Sequence, residues 1–229
     1  MHLNLYLLKL PKLETTYLSK IIPNLNYQLQ NEIYRFHRTH DKWRTIISDL
    51  LTRKILSEKL GTSRDLIKIE KGPYGKPYLK GKEVEFNLSH SKDCIFFAID
   101  ASPIGVDIEF IEPLDDLENI IQICLSVGEQ QTCLAKNKEE QLDYFYELWT
   151  LKESYLKAIG EGVNHFLKSF NIYNSGEKGF QIQSIDSETP WYLNRYTFDD
   201  QYKAAVCAQH RYFPDQPTII SAYDLLESL

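Results

Sequence analysis

The chain contains few sulfur-containing residues. It has one methionine and four cysteines among 229 residues, and only the cysteines could form cross-links. The cysteines are widely scattered and lack Cys-x-x-Cys spacing; they are Cys94, Cys124, Cys133 and Cys207. So few cysteines at such spacings predict no disulfide framework. We therefore expect a protein of the reducing cytoplasm.

The sequence also lacks the features of a membrane or nucleic-acid partner. The first residues contain no basic leader, and Pro11 interrupts their apolar run well short of membrane-spanning length. Lysine and arginine number 26 against 32 aspartate and glutamate residues, a net charge of −6. This charge disfavours a general affinity for phosphate backbones. We expect neither a membrane segment nor nucleic-acid binding, although a local basic pocket is compatible with the charge.

The chain does contain enough apolar and aromatic side chains for a sizeable core. Hydrophobic residues make up 43% and charged residues 25%, and 15 tyrosines and 11 phenylalanines bring the aromatic share to 13%. These values are typical of a globular chain with one large domain or two small ones. Because aromatic rings bury large areas, the fold requires no metal or disulfide for its stability.

The hydropathy pattern predicts two halves that each place helices before strands. Helical spacing is clearest over residues 41–60, where Gly61 provides the end. The predicted strands are 3–8, 66–70, 83–88, 94–99, 104–110, 168–173, 179–184, 191–197 and 203–208, and the predicted helices are 24–37, 41–60, 119–134 and 139–159. We therefore predict an α+β fold of two similar subdomains, 1–103 and 104–229, related by a pseudo-twofold axis.

Two carboxylates alternate along the strand predicted at 104–110. Asp107 and Glu109 are two residues apart, so their side chains point to one face, about 6.5–7 Å apart. An Asp-x-Glu pair is most often the solvated face of an edge strand. The alternative is a hard-cation site, since Mg²⁺ is normally held by one or two carboxylates, water and substrate phosphates.

A third carboxylate lies on the helix predicted at 139–159. Helical spacing places Trp149, Glu153 and Lys157 in one column, with Tyr146 beside it. Glu153 and Lys157 alone could be an ordinary surface pair that contributes about 0.2–0.5 kcal/mol. The aromatic residues favour a column that faces the protein, where Glu153 could complete a metal site.

Two predicted loops offer groups for an anion. The first is Ser89-His90-Ser91, which follows the strand at 83–88. A loop histidine usually has no special role, and no Gly-x-Ser-x-Gly motif accompanies it, but it can donate a hydrogen bond to an anion. The second, residues 71–77, has two glycines that allow a ligand to approach the backbone, although its composition is also typical of a plain hairpin turn.

The joint order of these motifs is more specific than any one of them. Tyr-Gly-Lys-Pro, Phe-Asn-Leu-Ser-His-Ser, Gly-Val-Asp-Ile-Glu and Trp-Thr-Leu-Lys-Glu-Ser-Tyr-Leu-Lys follow one another along the chain. In this order they resemble the 4′-phosphopantetheinyl transferases. The resemblance is closest to the monomeric, two-lobed, surfactin-synthetase-activating class, which serves nonribosomal peptide and antibiotic biosynthesis, and it extends from about residue 25 to 208.

The resemblance implies transfer of the phosphopantetheine arm of coenzyme A to a serine of an apo carrier protein. Such carriers belong to nonribosomal peptide, polyketide or fatty-acid synthesis, and the second product is adenosine 3′,5′-bisphosphate. By similarity Asp107, Glu109 and Glu153 hold Mg²⁺, or alternatively Mn²⁺. His90 and Lys157 contact the phosphates and form the catalytic set with Glu153. The other coenzyme A-binding residues that the resemblance implies are Arg44, Gly75, Lys76, Pro77 and Ser89.

One departure from the family and two other functions stay open. Relatives often carry lysines for the coenzyme A 3′-phosphate before the Arg44 region, whereas residues 27–33 contain none. Arg35, Arg38, Arg44 or Lys76 could substitute. The same carboxylates would also suit a metal-dependent phosphohydrolase of a nucleotide-like substrate, and a non-catalytic carrier-binding module would share the fold. Glu153 is the candidate base for the serine proton, directly or through a metal-bound water.

The carrier is expected to dock on apolar residues between 117 and 134. These residues are too many for one helical stripe to bury, so some are expected at the surface, with Ile121 and Leu125 as the positions to test. The alternative is a helix buried between the two lobes. Lys152 is given a supporting role toward the carrier because it faces away from the column of Glu153.

Overall fold

The computed structural model describes residues 2–81, 84–160, 167–176, 179–183 and 190–227. The helices are α1 (Thr15–Ile21), α2 (Tyr27–Tyr34), α3 (Thr39–Leu60), α4 (Leu117–Cys124), α5 (Val127–Leu134), α6 (Lys138–Ile159) and α7 (Ala222–Leu226). The strands are β1 (Asn4–Lys9), β2 (Ile69–Lys71), β3 (Pro77–Leu79), β4 (Glu85–Ser91), β5 (Cys94–Asp100), β6 (Ile104–Phe110), β7 (Asn171–Asn174), β8 (Phe180–Gln183), β9 (Tyr192–Tyr196), β10 (Tyr202–Ala208) and β11 (Thr218–Ile219). Among these residues, no helix combines the length and hydropathy needed to cross a bilayer.

Two sheets, each packed against a long helix, form two similar subdomains. The first sheet has the strand order β11-β1-β5-β4, and the second has the order β6-β10-β9-β8-β7. The helices α3 and α6 are both 22 residues long, and each buries its apolar side in the core of its own subdomain. A third apolar cluster joins β1 and β5 to β6 and β10. The predicted α+β fold with two similar subdomains is confirmed.

Helix ends and one glycine fix the position of α6. The Asn137 side chain accepts a hydrogen bond from the Glu140 backbone N–H at 3.0 Å, as an N-cap residue does. The helix ends at Gly160, whose φ is +76°. Gly105 of β6 lies against the helix, and a Cβ placed there would be 2.0 Å from the Ser154 carbonyl oxygen. Glycine therefore lets β6 and α6 approach closely, which brings their carboxylates to one cleft.

The end of the chain returns to the first subdomain. The crossing from β5 to β6 occurs between Asp100 and Ile104, near the predicted boundary. After the second sheet, β11 pairs in parallel with β1, and α7 buries Ala222 and Leu225 in the first core. The range 104–229 expected for the second subdomain thus includes a segment that packs on the first.

Three groups of predicted elements differ from the structure. The helix expected at 119–134 is two helices, because Ser126 starts α5 and its backbone N–H donates to Glu129 Oε2 at 2.8 Å. The Ser89-His90-Ser91 segment lies inside β4, since the turn to β5 comes only at Lys92. The elements α1, β3, β11 and α7 were not expected. Residues 83 and 184, at the ends of the strands expected at 83–88 and 179–184, lie outside the described residues.

Candidate active site

A cleft between β4, β6 and α6 brings most of the predicted site residues together. Its volume is about 350 Å³. The lining residues are Leu88, Ser89, His90, Asp107, Glu109, Trp149, Glu153 and Lys157. The first three come from the first subdomain and the others from the second. The cleft therefore lies where the two subdomains meet, and all three predicted metal ligands share it.

Asp107 is the most buried of the three carboxylates. The residue is only 2% exposed. One oxygen, Oδ1, accepts hydrogen bonds from Ser89 Oγ at 2.8 Å and from Lys157 Nζ at 2.6 Å. Lys157 also donates to Ser89 Oγ at 2.9 Å. The other oxygen of Asp107, Oδ2, is buried without a hydrogen-bond partner among the described residues.

Glu109 and Glu153 lie where burial and the nearby Asp107 charge disfavour their ionised forms. Burial raises the pKa of Glu109 to about 7, and the neighbouring Asp107 charge contributes to the rise. Glu109 Oε2 accepts a hydrogen bond from Ser91 Oγ at 2.9 Å, and the Trp149 side chain provides another. Burial also raises the pKa of Glu153, followed in size by the effect of Asp107. Glu153 Oε1 is buried and unpartnered among the described residues.

The chemistry of these side chains fits a hard divalent cation. Asp107, Glu109 and Glu153 offer carboxylate oxygens, which is the ligand type that Mg²⁺ prefers. Two buried oxygens, Asp107 Oδ2 and Glu153 Oε1, lack a partner among the described residues, and such groups are costly unless something satisfies them. Within the described ranges, no three acidic, histidine or cysteine side chains already converge on one point. The residues that would hold such a cation are Asp107, Glu109 and Glu153.

His90 and Arg44 place positive and neutral donors beside the cleft. The His90 side chain is exposed, yet partial burial against the cleft lowers its pKa, and the nearby Arg44 charge lowers it further. Arg44 is itself held by Asp41, whose Oδ1 accepts from Nη2 at 2.8 Å. Arg44 acts on His90 electrostatically but is not among the residues that line the cleft. His90 therefore lies in the cleft, whereas Arg44 lies outside its lining.

The turn that contains Gly75, Lys76 and Pro77 borders a second cleft. The turn joins β2 to β3, and Gly75 has a φ of +85°. Lys76 lines a neighbouring cleft of about 730 Å³ beside the C-terminal end of α6. Its ammonium donates to the Ile104 and Ala158 carbonyl oxygens at 3.1 and 3.0 Å, and burial lowers its pKa. The lining of neither cleft includes Gly75 or Pro77.

Comparison with known proteins decides the family. The model of the 4′-phosphopantetheinyl transferase superfamily matches residues 103–207, and the model of the N-terminal domain of 4′-phosphopantetheinyl transferase matches residues 14–102. The 4′-phosphopantetheinyl transferase Sfp of Bacillus subtilis (strain 168) is 38% identical over 193 residues, which cover 84% of this chain and 85% of Sfp. This chain belongs to the 4′-phosphopantetheinyl transferase family.

Other members of the family agree. The transferase psf-1 of Bacillus pumilus is 30% identical over 93% of this chain and 91% of its own length. The transferase gsp of Aneurinibacillus migulanus is 31% identical over 81% of this chain and 76% of its own length. A Bacillus anthracis holo-(acyl-carrier-protein) synthase, solved in complex with coenzyme A (3′,5′-ADP), covers 46% of this chain and 92% of its own at 17% identity. Its TM-score is 0.41. The recognition of an Sfp-like transferase is confirmed.

Two expectations about the carrier side of this 4′-phosphopantetheinyl transferase were wrong. Lys152 is fully buried and pairs with Glu129 Oε2 at 2.9 Å, so it cannot contact a carrier. Ile121 and Leu125 are also fully buried. The apolar residues that do stay exposed in this region are Ile123, Val127 and Leu134. The expectation that some of the apolar residues stay at the surface is therefore confirmed, whereas Ile121 and Leu125 were the wrong positions because they pack in the core that contains α6.

Sequence reasoning missed Ser91 and the polar row to which it belongs. Asn87, Ser89 and Ser91 alternate along β4, and each forms a hydrogen bond to β6. The signal was present as polar residues at every second position of a strand. A loop at Ser89-His90-Ser91 would have no alternation of side chains, and the row becomes apparent only because β4 extends to Ser91.

Proposed function

We propose that this chain transfers the 4′-phosphopantetheine group of coenzyme A to a serine of an apo carrier protein and releases adenosine 3′,5′-bisphosphate. The observation that carries the proposal is the cleft where Asp107, Glu109 and Glu153 stand beside Lys157. A phosphoryl-type transfer mainly requires an in-line nucleophile and neutralised phosphate oxygens. The cleft offers carboxylates for a divalent cation and a lysine for the phosphates.

The three carboxylates would hold Mg²⁺, or Mn²⁺ in its place, against the pyrophosphate of coenzyme A. Without a cation, these side chains would repel the pyrophosphate strongly in a partly desolvated cleft. When bound, the ion supplies Lewis-acid stabilisation of the transferring group. Lys157 donates to the phosphates as an ammonium. His90 donates as a neutral imidazole, because its lowered pKa disfavours the charged ring at neutral pH.

Glu153 is the proposed acceptor of the serine proton. Burial raises its pKa, which makes the carboxylate a better base near neutral pH. Its position in the cleft that also holds Asp107 would place it near the phosphorus atom that the serine oxygen attacks. The proton reaches Glu153 directly or through one water molecule.

We further propose that the enzyme works as a cytoplasmic monomer on carriers of nonribosomal peptide, polyketide or fatty-acid synthesis. One chain provides both sides of the cleft, with Ser89 and His90 on one side and the carboxylates on the other. A second copy is therefore not needed to complete the site.

The test is the intact mass of an apo carrier protein after incubation with this chain, coenzyme A and Mg²⁺. Transfer adds a group of about 340 Da to the carrier. EDTA and Asp107→Ala should each abolish the gain, while circular dichroism shows the variant folded. Full activity in EDTA would contradict the metal site. Free phosphopantetheine formed without carrier would indicate a phosphohydrolase, and carrier binding without a mass gain would indicate a non-catalytic module.

A further inference from the structure

We propose that Ser91 is a positioning residue, whose hydroxyl holds Glu109 toward the metal site from across the subdomain interface. The inference rests on the proposed function, because it concerns the cation that Glu109 would ligate. Ser91 is absent from the residues that line the cleft, so it would act through Glu109 rather than on the substrate.

The interface between the two sheets is bridged by side chains of β4. Asn87 Oδ1 accepts from the Val106 backbone N–H at 2.8 Å, and Ser91 Oγ accepts from the Phe110 backbone N–H at 3.0 Å. Polar side chains thus take the place of a backbone ladder between two edge strands. Because they recur every second residue, all of them face β6. The row fixes the register of β6 against β4.

The Ser91 hydroxyl can donate its single hydrogen to only one acceptor. A serine hydroxyl has one hydrogen and two acceptor lone pairs. Its oxygen already accepts from Phe110 N–H, and its hydrogen is donated to Glu109 Oε2 at 2.9 Å. The same oxygen atom therefore ties the Glu109 carboxylate to the backbone of the strand that carries it. The carboxylate cannot turn away without breaking this bond.

Glu109 needs such a restraint because of its neighbour. Asp107 lies two residues away on the same face of β6, and the two like charges repel. Glu109 is also only half-buried, so a rotation into solvent is open to it. Ser91 from β4 and Trp149 from α6 both bond to Glu109. These two bonds oppose the repulsion and keep the carboxylate beside Asp107.

The experiment measures Mg²⁺ affinity by calorimetry, with coenzyme A bound, in the full chain. Loss of a side chain that orients a metal ligand typically lowers the affinity for the metal about 10–100-fold. Ser91→Ala should raise the Mg²⁺ dissociation constant about tenfold, and Ser91→Thr, which keeps the hydroxyl, should stay within about threefold of the wild type. Ser102→Ala is the matched control, since Ser102 donates to Asp100 at the other end of the interface. It should leave the affinity unchanged.

A double-mutant cycle separates positioning from a merely structural role. In the Glu109→Gln background, Ser91→Ala should change the Mg²⁺ affinity by less than about twofold, because the ligand that Ser91 orients is already altered. An equal loss in both backgrounds, or no loss in the wild-type background, would overturn the proposal. If the wild type neither binds Mg²⁺ nor transfers the arm, the proposed function fails; if it does both and the cycle shows no coupling, only the role of Ser91 fails.

Discussion

Lys157 lies one helical turn from Glu153, yet its ammonium reaches across the cleft to Asp107 on β6. The ion pair therefore links the helix to the strand instead of stabilising the helix surface. Lys157 compensates the charge of Asp107, while a buried oxygen of Glu153 stays without a partner among the described residues. Glu153, whose helical neighbour Lys157 is engaged with Asp107, is thus available to take up a proton or a cation.

Glu153→Gln should lower kcat more than it weakens coenzyme A binding. The amide oxygen can still approach the metal, but the side chain can no longer accept the serine proton. Loss of a general base typically costs about 10²–10⁴-fold. Steady-state kinetics at saturating Mg²⁺ separate the two parameters. An unchanged kcat with a raised KM for coenzyme A would limit Glu153 to binding.

At the scale of the secondary-structure elements, a buried ion pair ties α5 and α6 to the segment after α6. Lys152 Nζ bonds to Glu129 and donates to the Leu167 and Phe170 carbonyl oxygens at 2.8 Å each. Glu129 Oε1 in turn accepts from the Ile172 backbone N–H at 2.9 Å. Every donor here has a buried partner, so the network holds β7 onto the helices rather than serving the reaction.

Lys152→Met should therefore destabilise the fold strongly. The substitution leaves the Glu129 charge buried and unpaired, which typically costs about 3–5 kcal/mol. Lys54→Met on α3 is the matched control, because the Lys54 and Glu58 side chains are 28% and 58% exposed and such pairs contribute less than about 1 kcal/mol. Urea unfolding monitored by tryptophan fluorescence gives the free energy of unfolding of both variants. Equal stability of the two variants would contradict the structural role of Lys152.

The exposed apolar residues of α4 and α5 are the expected carrier contacts. Ile123 and Val127 are 59% and 70% exposed. Ile123→Asp or Val127→Asp should raise the KM for carrier about tenfold, an effect of about 1.4 kcal/mol, without changing the KM for coenzyme A. Leu66→Asp, at a residue 66% exposed in the first subdomain, should have no effect.

The salt dependence of the same KM distinguishes apolar from charged docking. The family resemblance implies an acidic carrier, and the chain itself carries a net charge of −6, so long-range attraction between the two is not expected. The KM should change little between low salt and about 0.5 M, where exposed charges are largely screened. A steep rise in the KM would mean that a basic patch recruits the carrier instead.

At the scale of the whole molecule, the raised pKa of Glu109 predicts that the stability depends on pH. Glu109 has its pKa raised from 4.5 to about 7 in the folded chain. A raised pKa in the folded state gives stability that is fully present below the unfolded pKa and is lost as the pH rises through about 7. The metal-free protein should therefore lose stability between about pH 4.5 and 7 through this group.

Thermal unfolding in EDTA across this pH range, for the wild type and Glu109→Gln, isolates the effect. His90, with its lowered pKa, acts in the opposite direction, so the informative quantity is the difference between the two proteins. As the pH rises, the melting temperature of the wild type should fall relative to that of the variant. Mg²⁺ should restore the wild-type melting temperature most at the higher pH. A difference that is independent of pH would contradict the unneutralised charge at Glu109.

The sequence determined the family, the α+β fold and the identity of the cleft carboxylates. Strong local signals made this possible: the alternation over 104–110 gave β6 with its observed bounds, and helical spacing gave α3 and α6 within two residues of their observed ends. Asp107 and Glu109 had to share a face because a strand alternates its side chains, and Glu153 and Lys157 had to share a column because a helix turns every 3.6 residues.

Only the tertiary structure decided which faces meet. Local periodicity cannot show that α4 and α5 bury Ile121 and Leu125 against α6, or that Lys152 finds Glu129, because those partners lie far apart in the sequence. The same holds for α7, which returns to the first core, and for Ser91, whose bond to Glu109 exists only because two edge strands face each other. Burial and pairing are properties of the packed chain, so a pattern within one element leaves them undetermined.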